Sequence, residues 1–122
     1  MKQIQKKVRP QKLAGLGHFT GTENYYRHTF GGRFTDGVKH VVDIAQAYWL
    51  LDVIFSHGST HRNQSLLVCK LVVDAKTDSA EFTMDDGDGN ILATQHIEFT
   101  DFPVLEQTIW LCNGVAMLPS EY

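Results

Sequence analysis

Residues 35–55 read TDGVKHVVDIAQAYWLLDVIF, and this segment has the clearest helical periodicity in the chain. Thr35 or Asp36 can cap a helix here, and Gly58 can end it, because Thr and Asp favour helix starts and Gly favours helix ends. At about 100° per residue, the apolar side chains fall on one broad stripe. This stripe consists of Val38, Val41, Val42, Ala45, Tyr48, Trp49 and Phe55. The pattern predicts one long amphipathic helix from about Asp36 to Ser56.

The second half of this predicted helix is apolar on all sides, since Leu50, Leu51, Val53 and Ile54 follow one another closely. A helix that is apolar all round is covered on more than one side. Either other parts of the chain or a second copy of the protein supplies the cover. We therefore expect self-association through this helix end or through the edge of a sheet.

Asp52 is predicted to lie near the centre of the apolar stripe. An ionised carboxylate is costly to bury without a partner, so we expect a hydrogen bond or an ion pair. Arg27 or His28 can supply it, and so can a tyrosine hydroxyl group. The tyrosine candidates are Tyr25, Tyr26 and Tyr48. Two interpretations remain open: a buried polar network that fixes how the helices dock, or a ligand or enzyme pocket lined by Asp52, Arg27, His28 and Tyr25.

The segment Thr20-Gly21-Thr22-Glu23 fits the spacing of a capping box. In that motif, the hydroxyl and carboxylate groups satisfy free backbone donors at a helix start. We therefore predict a short helix that carries residues 25–28 and ends before residues 31–32. Its adjacent aromatic and basic side chains indicate either an exposed binding surface or a tyrosine that closes the core edge.

From residue 65 onwards, the apolar residues alternate with polar ones. This period of two is typical of antiparallel strands with one face in water. Asn113-Gly114 lies between two apolar runs and is a strong signal for a type I′ hairpin. The sequence predicts an α+β fold, in which an antiparallel meander of about five strands in the C-terminal half packs on one long and one short helix from the N-terminal half.

The charge of the 122-residue chain is unevenly distributed. The first twelve residues carry +5, and the rest carry six basic and fourteen acidic side chains, although the net charge is only −3. We predict a flexible basic arm over residues 1–12 and a single domain over residues 13–122. An alternative is that the arm binds nucleic acid, but the acidic body argues against contact with phosphates.

Metal binding is not favoured by any motif. The turn DDGDGN, residues 85–90, resembles part of an EF-hand loop, but Met84 and Gln95 would occupy its first and twelfth positions. Neither side chain can replace the carboxylate that calcium requires there. His57 and His61 are four residues apart, yet the intervening Gly-Ser-Thr is expected to end the helix, so they are weak candidates at most. Cys69 and Cys112 are expected to be buried and reduced.

Sequence motifs of hydrolases, nucleotide-binding loops and thiol oxidoreductases are absent. The sequence favours a non-enzymatic interaction or accessory protein without a cofactor, and the partner is expected to be a second copy or another protein. It contains neither a signal peptide pattern nor an apolar run long enough to cross a membrane. We therefore expect a cytoplasmic location.

Five segments resemble a family of small uncharacterised bacterial, plasmid and phage proteins that share a domain of unknown function. They are FTGTENYYRH (residues 19–28), FTDGVK (34–39), AYWLLD (47–52), TDFP (100–103) and LPSEY (118–122). The resemblance covers nearly the whole chain after the basic arm. In the more usual form of the second segment, tyrosine is expected in place of Phe34. The family has no assigned activity, so the resemblance implies no function.

Overall fold

The computed structural model describes residues 8–122. Two helices and seven strands form most of this part of the chain. In chain order they are β1 (Tyr25–Arg27), β2 (Arg33–Thr35), α1 (Asp36–Ala45), α2 (Tyr48–Gly58), β3 (Leu66–Asp74), β4 (Ser79–Asp85), β5 (Ile91–Ile97), β6 (Glu106–Cys112) and β7 (Val115–Met117). Short 3₁₀ turns cover Leu16–His18 and Pro119–Glu121. The α+β class and the N-terminal position of the helices are confirmed.

The strands form one mixed sheet in the order β1-β2-β7-β6-β3-β4-β5. Five antiparallel strands are present in the C-terminal half as predicted, but β6 pairs with β3 rather than β5, so they do not form a simple meander. Strands β1 and β2 extend the sheet beyond β7, and the β2–β7 pair is parallel. The more exposed β5 takes an edge, whereas the largely buried β6 takes a central position.

The predicted short helix is wrong, because residues 25–27 form strand β1. The hydroxyl group of Thr22 accepts a hydrogen bond from the Asp36 N–H group, and the Asp36 carboxylate accepts one from the N–H group of Glu23. The Glu23 N–H group, which the Thr20 hydroxyl group would satisfy in a capping box, is therefore satisfied by Asp36, 13 residues further along the chain. Tyrosine also favours strands, and the Tyr26 ring stacks on Phe34 of the neighbouring strand.

The predicted long helix is broken into α1 and α2. At Gln46 the backbone adopts a left-handed conformation with φ of 50°. The N–H groups of Gln46 and Ala47 then donate to the carbonyl groups of Asp43 and Val42, which is a Schellman ending. No Gly or Pro marks this position, so the apolar pattern continues across it and predicts one uninterrupted helix. Each helix buries its own stripe at a spacing of three to four residues.

Both helices cover one face of the sheet. The inward side chains of β3, β4 and β6 form the core with these stripes, and they include Leu67, Cys69, Leu71, Phe82, Met84 and Ile109. The alternation predicted from the sequence is confirmed in β3 and β4. The type I′ hairpin is also present, and φ is positive at both Asn113 and Gly114. A side chain at Gly114 would strain the backbone at this φ.

Strand β5 departs from the predicted alternation at Leu92. Ala93 pairs with Met84, but Ile91 pairs with Asp85, so Leu92 is an extra residue in a β-bulge. Ile91 therefore shares the open face with Asp85, and Leu92 packs against the core. Ile91 and Ala93 therefore lie on opposite faces, whereas the regular alternation expected from residue 65 onwards would place them on the same face.

Arg9, within the predicted basic arm, contacts the domain closely. Its guanidinium group donates to Asp78 Oδ1 at 2.7 Å and to the carbonyl oxygens of Phe102 at 2.8 Å and Thr100 at 3.0 Å. Its charge is thus neutralised at the domain surface rather than offered to phosphates. The arm's residues 1–7 lie outside the described part of the chain.

Candidate functional site

The N-terminus of α1 is the centre of a polar network built from three of the family-like segments. The Asp36 carboxylate accepts hydrogen bonds from the N–H groups of Glu23 and Asn24 and from the Tyr26 hydroxyl group, at 2.9, 3.3 and 3.0 Å. The bond from Glu23 is the main reason that the pKa of Asp36 lies below its usual value. Asp36 therefore holds the segment before β1 against the helix.

Glu121 completes this network from the other end of the sequence. Its carboxylate accepts hydrogen bonds from the Thr35 hydroxyl group at 2.6 Å and from the N–H groups of Gly37 at 3.1 Å and Leu118 at 2.9 Å. A carboxylate is favourable at a helix N-terminus because the unpaired N–H groups and the helix dipole are positive there. These donors and acceptors satisfy one another, so the network is a structural clasp.

A second contact joins the first of these segments, residues 19–28, to a further one, residues 47–52. His28 Nε2 lies 2.7 Å from Asp52 Oδ1. His28 Nδ1 accepts a hydrogen bond from the N–H group of Phe30 at 3.1 Å. Because a backbone N–H group can only donate, Nδ1 is unprotonated, and the proton lies on Nε2 and points to Asp52. Both ring nitrogens are therefore engaged within the fold.

The burial of this pair is the reverse of the prediction. The Asp52 side chain retains 59% of its exposure, whereas the His28 side chain retains 7%. The prediction of a buried Asp52 is wrong because the break at Gln46 rotates α2 relative to the wheel drawn for one continuous helix. The carboxylate instead reaches from the surface to a buried imidazole, which packs at a tilt against the Phe55 ring with centroids 4.8 Å apart.

The other predicted site residues do not converge on Asp52. The Tyr26 hydroxyl group donates to Asp36, and the Tyr48 hydroxyl group donates to Asp43 on α1. These hydrogen bonds raise the pKa of each tyrosine above its usual value. The pKa of Asp43 is lowered, first by the ammonium group of Lys39 and then by Tyr48.

Tyr25 and Arg27 are exposed at opposite ends of β1. In a strand, alternate side chains point to opposite faces, so neither side chain shares the direction of Tyr26. Arg27 pairs across the strands with Arg33. These residues form part of the open face of the sheet and lie apart from the His28–Asp52 contact.

A cleft of about 530 Å³ lies beside the His28–Asp52 pair. One wall is the turn that begins at Phe30, whose ring meets the His28 ring edge-on with centroids 5.0 Å apart. The opposite wall is the end of α2 and the loop that follows it, up to Gln64. Phe55 lines the cleft as well, so His28 lies against two aromatic rings of its wall. The His28–Asp52 pair therefore supports the aromatic wall of the cleft but does not line the cleft itself.

The weak metal candidates are separated by the end of the helix. His57 lies in the last turn of α2, where its Nε2 atom is 2.7 Å from Gln95 Oε1, and its ring stacks on Phe82. His61 follows the helix and lines the cleft. Within residues 8–122, no three His, Cys, Asp or Glu side chains cluster in a way that could hold a metal ion.

The acidic turn after β4 organises itself. The Asp86 carboxylate accepts hydrogen bonds from the side-chain and backbone N–H groups of Asn90 and from the N–H group of Asp88. The side-chain bond from Asn90 is the largest of the effects that lower the pKa of Asp86. The stretch is a turn between β4 and β5, as predicted.

Cys69 and Cys112 are buried free thiols, and burial raises the pKa of both.

The two edges of the sheet differ in length and chemistry. Strand β1 has three residues and includes Arg27, whereas β5 has seven residues and contains no Asp, Glu, Lys, Arg or Pro. The only titratable side chain of β5 is His96, which is hydrogen-bonded to Glu81 of the adjacent strand. An edge strand carries unpaired N–H and C=O groups that can join another strand.

Sequence reasoning missed the cleft residues, above all Phe30 and Arg62. The sequence does not indicate that Phe30 lines a cleft, because it predicts a helix for the residues just before it. Arg62 stands in a polar loop, where single charges carry no periodic signal. Only the aromatic residue next to Gly31-Gly32 offered a hint, since glycine pairs mark turns at which side chains are displayed.

The fold and the site define a small α+β protein with a mixed sheet, one helical layer and a cleft at one end of the sheet. The chain belongs to the Family of unknown function (DUF6876), whose family model matches residues 10–122. Neither a curated protein nor a solved structure matches it significantly. Among the helices of residues 8–122, none combines the length and the apolar character needed to span a bilayer.

Proposed function

We propose that the protein is a small, non-enzymatic interaction protein that associates with a second copy of itself through the edge strand β5. The observation that carries this proposal is the character of that strand. Its seven residues, Ile91–Ile97, are largely exposed at the sheet edge, and apart from the bulge at Leu92 they lack the features, charged residues and prolines above all, with which proteins usually block edge pairing.

A second copy is the partner that suits this edge best. Two β5 strands related by a twofold axis near Thr94 would pair antiparallel and continue one sheet through both copies. Such a strand meets its own copy without repulsion between like charges, because it has no Lys, Arg, Asp or Glu. Ile91 and Phe99 are large exposed apolar residues at the ends of this edge, so pairing would also remove apolar surface from water.

The other edge is a poorer site for pairing. Strand β1 offers only three residues, and its Arg27 already faces Arg33 across the strand pair. A second copy would bring further arginines close together, and like charges directly opposite one another destabilise a strand pair. The proposal therefore concerns β5 alone.

A non-enzymatic role is supported by His28, which spends both ring nitrogens on contacts within the fold. The free thiols Cys69 and Cys112 support a cytoplasmic setting, where thiols stay reduced. The resemblance noted from the sequence adds a bacterial or mobile-element origin to the proposal.

The test is sedimentation velocity over a range of concentrations with charge variants of the edge. Wild type is expected to dimerise, and Thr94→Lys and Thr94→Glu are each expected to be monomeric because like charges would meet at the twofold axis. An equimolar mixture of the two variants is expected to recover the dimer. As a control, Val72→Lys adds the same charge to an exposed position on β3 between Glu81 and Glu106, and should still dimerise. A monomeric wild type, or a dimer that persists in both Thr94 variants, would overturn the proposal.

A further inference from the structure

We propose that the cleft beside Phe30 binds a small molecule with a planar apolar ring and one anionic group, such as an aryl carboxylate or sulfonate. Its volume of about 530 Å³ is in the range of small-molecule sites. The inference does not depend on self-association, because the cleft lies at the end of α2 and at the β6–β7 hairpin, away from β5.

The inner part of the cleft is apolar. Leu67 and Leu111, which pair across β3 and β6, form its floor, and both are buried. Phe55 adds a buried aromatic ring from α2. Phe30, by contrast, is 58% exposed. An exposed aromatic ring at the wall of an apolar recess gains free energy when a flat ligand ring covers it.

The Phe30 side is held in place before any ligand arrives. Its N–H group donates to His28 Nδ1, and its ring contacts the buried His28 ring edge-on. Asp52 fixes His28 from the other side through Nε2. A wall that is already positioned loses less conformational entropy on binding, which favours affinity.

The rim of the cleft is positively charged. Arg62 lines it together with His61 and the polar side chains of Ser59 and Gln64. In the described part of the chain, no Asp or Glu lines the cleft, and Arg62 forms no ion pair. The charge of the rim is thus opposite in sign to the net charge of the protein, which is −3. A guanidinium group binds both planar carboxylates and tetrahedral oxyanions through paired hydrogen bonds, so an anionic group is the chemistry that suits this rim.

The probes that test this are 8-anilinonaphthalene-1-sulfonate and the uncharged N-phenyl-1-naphthylamine, which share the ring system and differ in the anion. Fluorescence titration of wild type is expected to show one saturable site for each probe. Arg62→Gln should weaken sulfonate binding about tenfold and change binding of the neutral probe less than about twofold, since only the charge-assisted contact is lost.

Three further variants separate the cleft from general surface binding. Arg33→Gln removes an exposed arginine of β2 that does not line the cleft, and both affinities should stay within about twofold of wild type. Phe30→Ala should weaken both probes, and Ser59→Trp should block both by filling the mouth. Circular dichroism and thermal melting check that each variant folds.

The inference is overturned by any of three results. One is the absence of saturable binding of either probe to wild type up to about 1 mM, the weak limit for specific sites. Another is an Arg62→Gln variant whose ratio of affinities for the sulfonate and the neutral probe equals that of wild type. The last is an Arg33→Gln variant with a loss equal to that of Arg62→Gln, which would mean general charge attraction.

Discussion

The Nε2 atom of His28 lies 2.7 Å from Oδ1 of Asp52, and the imidazole is the buried partner while the carboxylate is mostly exposed. The pair connects the segment after β1 to the middle of α2. It also fixes the orientation of the imidazole, because Nδ1 accepts the hydrogen bond from the Phe30 N–H group while Nε2 faces Asp52.

Asp52→Ala is expected to lower the free energy of unfolding by about 1 kcal/mol, because the buried Nε2–H group of His28 loses its acceptor and water replaces it only in part. Asp52→Asn keeps an acceptor oxygen at this position and should cost less than half as much. Urea denaturation of the purified variants measures both values. If Asp52→Ala unfolds at the same urea concentration as wild type, the contact has no structural role.

Gly37→Ala is expected to destabilise the protein by about 1–2 kcal/mol although alanine is the better helix former, because overpacking outweighs the gain in helix propensity. A Cβ atom at Gly37 would lie 2.5 Å from Oε1 of Glu121 and 2.7 Å from Cδ1 of Leu118. The carboxylate cannot move away without loss of its three hydrogen bonds. Thermal melting measures the change.

Gly21→Ala is the matched control for this substitution. A Cβ atom at Gly21 would meet nothing within 4 Å. Its free energy of unfolding should therefore stay within about 0.5 kcal/mol of wild type. Equal melting temperatures for Gly37→Ala and wild type would show that the Glu121 hydrogen bonds rearrange at little cost in free energy.

Acid is expected to weaken the clasp at the α1 N-terminus. The pKa of Asp36 is lowered in the folded state, so this carboxylate stabilises the fold above its unfolded pKa of about 3.9, and the contribution is lost as the pH falls through the lower folded value. Asp36→Asn should be less stable than wild type at neutral pH. The difference between the two should shrink below about pH 4.

Urea titrations from neutral to acidic pH measure this difference. Asp101→Asn, at an exposed loop position after β5, is the control, and its difference from wild type should not follow this course. A gap between Asp36→Asn and wild type that stays constant with pH would contradict the assignment.

Both cysteines are expected to resist alkylation in the folded protein. Cys69 and Cys112 are buried, and burial raises the pKa of each thiol, so the reactive thiolate is scarce at pH 8. Iodoacetamide followed by mass spectrometry should find both unmodified in buffer and both modified in urea. Rapid modification of Cys69 without urea would mean that β3 opens locally.

Much of the fold could be predicted because its signals are local. The alternation in β3 and β4 and the Asn113-Gly114 turn depend on neighbouring residues, and the structure has them as predicted. The spacing around Val38–Ala45 likewise predicts α1 correctly. The partnership of His28 and Asp52 was also among the expected pairs, since a polar residue on an apolar helix has few candidates nearby.

The remainder depends on contacts that a periodic pattern does not contain. Thr20 and Glu23 fit a helix start, but the hydrogen bonds that join Thr22 and Glu23 to Asp36 hold an extended segment instead. The break at Gln46 has no glycine or proline to mark it, and this break moved Asp52 to the surface. Glu121 stands in the family-like segment LPSEY without any local signal for its role, and only the fold shows that it caps α1.

The clasp has a consequence for how the chain matures during synthesis. Glu121 follows Gly37 by 84 residues, and β2 joins the sheet only through β7, which is also made late. The first helix and the strands before it thus leave the ribosome without their cap or their neighbour, and such distant pairings form slowly. Until β7 is made, the edge of β2 that pairs with it stays open, so ribosome-bound intermediates are expected to be the protein's most aggregation-prone form.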